Sequence, residues 1–153
     1  MADENGKTGE MSADSQPGAP AARTEAAARV LENLAELEPE LVSAGIFDSN
    51  RNPVSVSAKS PRWPEAAAAL MEAIEAGSGE EEFDSAHVAG ADGEVFMVSE
   101  SGLSLVAVTG RFVLASLTTY DMRMALRDVA RADESSSTLN PSPEADSKGE
   151  ADA

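Results

Sequence analysis

Hydrophobic and polar positions alternate in two different periods along this chain, and the change from one to the other marks out its elements. Val30, Leu31, Leu34 and Leu37 recur at helical spacing within an Ala-, Glu- and Leu-rich stretch, which predicts an amphipathic helix over Arg23 to Glu36, stopped near Pro39. Period two takes over in Leu41 to Asp48, with Val42, Ala44 and Ile46 expected on one face of a strand and Leu41 and Phe47 on the other. Ser49-Asn50-Arg51-Asn52 supplies a turn into a shorter strand, Pro53 to Ala58, with Val54 and Val56 expected on the same side; proline at its start suits a sheet edge, because it has no donor for the ladder.

Ser60, Pro61 and Pro64 open a second helix whose body runs from Ala66 to Ile74, with Gly77 as its expected cap. Three strands joined by tight turns follow: Phe83 to Ala89, Glu94 to Glu100 and Leu103 to Thr109. Asp92-Gly93 and Ser101-Gly102 are expected to take the positive φ that hairpin links require. Leu103, Leu105, Val106, Ala107 and Val108 make the last strand nearly continuously apolar, as in a central strand covered on both faces. Val113 to Arg131 reads as the closing helix, with one stripe at Met122, Leu126 and Val129 and a second at Leu117, Tyr120 and Met124. That surface is wider than one sheet face needs to cover, unless the first helix takes the remainder.

The expected order is therefore α-β-β-α-β-β-β-α, an α/β (α+β) domain with a five-stranded, mostly antiparallel sheet between helices. Before it (residues 1–21) and after it (133–153) the chain mixes Asp, Glu, Gly, Ser and Pro with little to bury, so both segments are expected to be disordered acidic tails around a domain at 22–132.

Composition narrows the function. Eleven Lys and Arg against 28 Asp and Glu give a net charge of -17, which repels nucleic acid and anionic lipid alike. The same acidity, with abundant alanine and scarce lysine, is shared with proteins of salt-loving archaea, where salt screens self-repulsion. No cysteine is present, and one histidine cannot build an all-histidine metal site. No window of apolar residues is long enough to span a bilayer and the first residues do not read as a secretion signal, so the expected location is the cytoplasm.

No catalytic, cofactor-binding or metal site is expected. Asp84, Ser85 and His87 crowd into one strand, whereas a triad converges from separate elements. Glu80-Glu81-Glu82 lacks a fixed cage of oxygens, and Gly77-Ser78-Gly79 has no Gly-Lys-Ser/Thr to make a phosphate loop. Trp63 either staples the start of the second helix or anchors a partner. Tyr120, Arg123 and Arg127 mark the most basic stretch of an acidic chain, either a solvated ridge or a docking site for an acidic partner.

Three stretches carry a family resemblance: Leu37 to Pro53, with a turn between the first two strands; Gly90 to Thr109, with a glycine-containing hairpin feeding a Leu-Val-Ala-Val strand; and the amphipathic Tyr120 to Arg131. Together they resemble the Roadblock/dynein light chain domain, of the prokaryotic type associated with small Ras-like GTPases, over about Arg23 to Ala132; Asn50 and Asn52 stand where members often carry a turn glycine. The resemblance implies a non-enzymatic dimeric adaptor or GTPase regulator with no cofactor, formed with itself or a paralogue. Its edge strand, here Phe83 to Ala89, would pair with its copy while the second helices pack side by side. Leu70, Met71, Ile74, Ala86 and Val88 are then the expected interface. The alternatives are a structural scaffold of a larger complex with no GTPase contact and, further off, a small-molecule sensor.

Overall fold

In a computed structural model, residues 19–79 and 84–139 are described. The expected tails at 1–18 and 140–153, with Glu80 to Phe83, lie outside them. The elements are α1 (Ala19–Leu37), β1 (Leu41–Phe47), β2 (Pro53–Ser57), α2 (Trp63–Ser78), β3 (Ser85–Ala89), β4 (Glu94–Glu100), β5 (Leu103–Thr109) and α3 (Ala115–Leu139). This is the order read from the sequence. Both outer helices overrun the boundaries set by the apolar pattern: α1 begins before residue 22, and α3 continues past Ala132 to Leu139, with Ala132 and Asp133 still half-buried.

The sheet is antiparallel, in the order β2-β1-β5-β4-β3. β5 lies at its centre and is buried on both sides, which explains its continuous apolar run. On one face, Leu105 and Ala107 join Ala44, Ile46, Phe96 and Val98 beneath α1 (Leu31, Leu34) and α3 (Met122, Leu126, Val129). On the other, Val106 joins Phe47 and Met97 beneath α2, which contributes Ala67 and Met71. Two helices thus cover one face and, among the described residues, a single helix covers the other.

Several local expectations are corrected by the strand geometry. A register shift between Leu41 and Ser43 turns Leu41 towards the α1–α3 side, with Ala44 and Ile46, and leaves Val42 62% exposed. A second shift, at Ile46/Phe47 opposite Pro53 and Ser55, separates Val54, which packs on the α1–α3 side, from Val56, which packs under α2. A bulge adds one residue to a strand, so strict period-two reading fails beyond it. Helix α2 does not stop at Gly77; its cap is Gly79, at φ 70°.

The turns use different residues from those expected. After β1, Asp48 Oδ1 accepts hydrogen bonds from the backbone N–H of Asn50 (2.8 Å) and Asn52 (2.9 Å), and Arg51 rather than an asparagine takes the left-handed conformation, at φ 66°. These bonds, led by the one from Asn52, hold the Asp48 carboxyl below the usual carboxylate range. Ser101 (φ 59°) and Gly102 (φ 78°) form the expected mirror-image turn between β4 and β5. Gly93 does not have positive φ; it is required because a side chain there would run into the carbonyl oxygen of Thr109 on β5.

Candidate interaction surface

Strand β3 lies at one edge of the sheet, opposite the β2 edge, and among the described residues has one neighbour, β4. Gly90 N–H donates to Gly93 O (2.8 Å) and Ser99 N–H to Asp84 O (3.0 Å). Hydrogen-bonded pairs alternate along an antiparallel ladder, so the intervening bonds fall at Ala86/Met97 and Val88/Val95. The backbone N–H and C=O groups of Ser85, His87 and Ala89 are then turned away from the sheet, an open row of donors and acceptors.

The side chains beside this edge are apolar on one face. Ala86 and Val88 pair with Met97 and Val95, both of which belong to the face under α2. Val88 is 54% exposed, and Leu70 and Ile74 of α2 are only partly buried on the same face. All five residues expected at an interface lie on one side of the sheet, and four of them, Leu70, Ile74, Ala86 and Val88, are at least partly open there. Met71, at 1% exposure, is spent inside this chain, against Phe47, Met97 and Val106. The outward side of α2 carries Ala66, Ala69, Ala73 and Ala76, all exposed and spaced by three or four residues, so one flank of the helix is a smooth strip that another helix can approach closely.

The remaining expected docking residues are engaged within the fold. The Trp63 ring packs on Phe47, with centroids 6.4 Å apart, and covers Gly45, where a Cβ would come within 2.9 Å of it. It fastens the start of α2 to β1. Arg123 reaches both oxygens of Asp84 (3.0 and 2.9 Å) and lies 3.8 Å from Glu100, and Arg127 pairs with Glu100. These ion pairs tie α3 to the start of β3 and the end of β4. Tyr120 is 58% exposed.

One constellation had no signal in the sequence. Glu94, the first residue of β4, is 7% exposed; its carboxylate accepts from His87 Nε2 (2.7 Å) and from the backbone N–H of Phe112 (2.6 Å). The His87 ring stacks on Phe96, with centroids 4.3 Å apart and planes 7° from parallel. Glu94 thereby fastens the edge strand to the loop before α3 and holds Phe112 at φ 66°, a conformation that bulky residues rarely adopt.

The His87 hydrogen bond first, then the Phe112 amide, holds the Glu94 carboxyl below its usual 4.5. A depressed carboxylate contributes stability that is complete above its unfolded pKa and is lost as pH falls through its folded pKa. Glu94→Gln is therefore expected to lower the melting temperature at pH 7 and to flatten its decline below about pH 4.5 relative to wild type. A melting series from pH 7 to pH 3 checks this, and parallel acid limbs would contradict it.

Arg123 holds both oxygens of Asp84, and the carboxylate partner of His87 is Glu94, so the serine, histidine and acid of β3 do not converge. Among the described residues, no group of three or more His, Cys, Asp or Glu side chains could hold a metal, and no helix is long and apolar enough to cross a membrane. A cleft of about 310 Å³ beside the β4–β5 turn is lined by Asp48, Arg51, Glu75 and Glu100; Arg51 and Glu75 pair with each other across it.

A five-stranded antiparallel sheet carrying two helices on one face and one on the other, in this element order, is the Roadblock/LC7 fold. No family model matches the chain, and no curated protein matches its sequence. Solved structures do match. A Roadblock/LC7 domain from Streptomyces avermitilis is 23% identical, over 65% of this chain and 91% of that one, with a TM-score of 0.53. MglB from Myxococcus xanthus is 17% identical, over 74% and 92%, with a TM-score of 0.59. The gliding protein MglB from Thermus thermophilus is 20% identical, over 78% and 95%, also at 0.59.

Proposed function

We propose that this chain is a non-enzymatic regulator of a small Ras-like GTPase, working in the cytoplasm as a dimer joined through β3 and α2. The observation that carries the reading is the coincidence of an open sheet edge with the apolar strip of Leu70, Ile74 and Val88 on the thinly covered face. Pairing two β3 strands would satisfy the outward backbone groups of Ser85, His87 and Ala89 and continue the sheet across both copies. A two-fold arrangement places the same patch on both sides, so Val88 would be buried twice and the alanine strips of the two α2 helices would meet.

The GTPase is inferred from the resemblance of the sequence to the Roadblock domain, which the fold supports. Affinity capture with tagged full-length protein, performed once with GDP and once with a non-hydrolysable GTP analogue, tests it. A small GTPase retained in one nucleotide state is the expected result. Recovery of the same non-GTPase proteins in both states would instead make the chain a structural module of a larger complex.

A further inference from the structure

Helix α3 has more apolar surface than its fold consumes. Met122, Leu126 and Val129 are fully buried against the sheet and α1. On the opposite side of the helix Leu117 and Tyr120 are 51% and 58% exposed, and Met124, on the same side, is only partly covered. Across the seam, Leu37 at the end of α1 is 63% exposed. A surface helix in a finished fold presents one apolar stripe and one polar side, so a second stripe continued onto a neighbouring helix marks a surface that something covers.

Charge narrows what that is. A cavity of about 80 Å³ opens between the two helices at this point, walled by Leu37 and Met124 and by the carboxylates of Asp121 and Asp128. Asp121 is half-buried facing Glu38, and burial together with the Glu38 charge pushes its carboxyl above the usual range. Glu38 accepts a hydrogen bond from Thr118 Oγ1 (2.7 Å), but among the described residues no Lys or Arg pairs with Glu38 or Asp121. Arg51, Arg123, Arg127 and Arg131 each meet a carboxylate elsewhere in the same chain. Here two acids are held together with their cation missing.

We propose that the seam between α1 and α3, where Leu37 and Met124 wall the cavity beside Glu38 and Asp121, forms with the exposed Leu117 and Tyr120 on the outer side of α3 a second docking surface, which receives a basic amphipathic helix of another protein. Such a helix would set an apolar side chain into the cavity and a Lys or Arg between Glu38 and Asp121. A second copy of this chain fits poorly, because it would bring the same carboxylates and another net charge of -17 to the contact. The surface is separate from the β3–α2 face, so the proposal does not rest on the dimer or on the GTPase.

Fluorescence anisotropy of full-length protein with a labelled synthetic peptide tests it. The peptide is a helix of about 15 residues with leucines at i, i+3, i+4 and i+7 and lysines on the opposite side, compared with a scrambled peptide of the same composition. The amphipathic peptide is expected to bind at least about tenfold more tightly than the scrambled one. Leu117→Ser and Tyr120→Ser, both exposed positions, should each weaken it severalfold, and Asp121→Asn should weaken it and reduce its salt dependence. Equal binding of the two peptides would reduce the effect to bulk charge and overturn the proposal. So would Leu117→Ser altering the mass of the protein in solution while leaving peptide affinity unchanged, since a second copy would then be the occupant.

Discussion

Phe96→Ala is expected to lower the free energy of unfolding by about 3–5 kcal/mol, a large part of the roughly 5–15 kcal/mol that holds a domain folded. Phe96 is completely buried at the middle of β4, among the residues that α1 and α3 cover, and the His87 ring lies flat against it from the edge strand. Truncating it would leave a cavity under both helices and also remove the surface on which His87 rests. The damage should therefore reach β3, which has few other attachments. Chemical denaturation should show an earlier midpoint with a similar slope, and hydrogen exchange should rise first in Ser85 to Ala89. A loss below about 1 kcal/mol would mean that the ring is not packed as described.

Two glycines are expected to respond to the same substitution with opposite signs. At Gly93 an added Cβ meets the carbonyl oxygen of Thr109, backbone against backbone where Glu94 pairs with Thr109, and neither strand can withdraw without opening the sheet. Gly93→Ala should cost about 1–3 kcal/mol or more, as overpacking does where nothing flexible can yield. At Gly77, inside α2, a Cβ meets nothing within 4 Å, and alanine there should stabilise by about 0.4–1 kcal/mol by restricting the unfolded chain and favouring the helix. Thermal melts of the two variants beside wild type check both signs; destabilisation at Gly77 would show that the helix ends earlier than Gly79.

The contrast between these glycines shows where the sequence could be read and where it could not. Gly77 followed an apolar run and looked like a cap, but a capping glycine is defined by its φ, and the residue at φ 70° is Gly79. Ser101-Gly102 was legible because a two-residue link between two alternating strands has few solutions. The centrality of β5 was legible because burial on both faces leaves a mark on every residue of a strand. Bulges leave no such mark. Leu41 and Val54 were assigned to faces by counting in twos, and the count fails wherever the register shifts by one.

The candidate surfaces divide in the same way. Leu70, Ile74, Ala86 and Val88 could be brought together because element order and alternation place them, whereas the full burial of Met71 on the same face is fixed only by its packing against Phe47 and Met97. Arg123 and Arg127 were read as open charge because their partners, Asp84 and Glu100, lie 39 and 27 residues away, in elements whose approach to α3 no local pattern specifies. Glu94 was invisible for a related reason. A lone glutamate at the start of a strand is ordinarily solvated, and only the three-dimensional position of His87 and the Phe112 amide makes it a buried clasp. The excess apolar stripe of α3 was evident from spacing alone, but that α1 leaves Leu117 and Tyr120 uncovered was not.

The mass of the full-length protein in solution, by light scattering over a range of concentrations, tests the central claim most directly. Wild type is expected at twice the 15.8 kDa of the chain. Val88→Asp, at an exposed position of the apolar strip, and Ala89→Pro, which removes an outward N–H but no β3–β4 ladder bond, are each expected at the mass of a single chain. Wild type at 15.8 kDa throughout, or dimers that survive both substitutions, would contradict the assignment of β3 and α2 as the joining face.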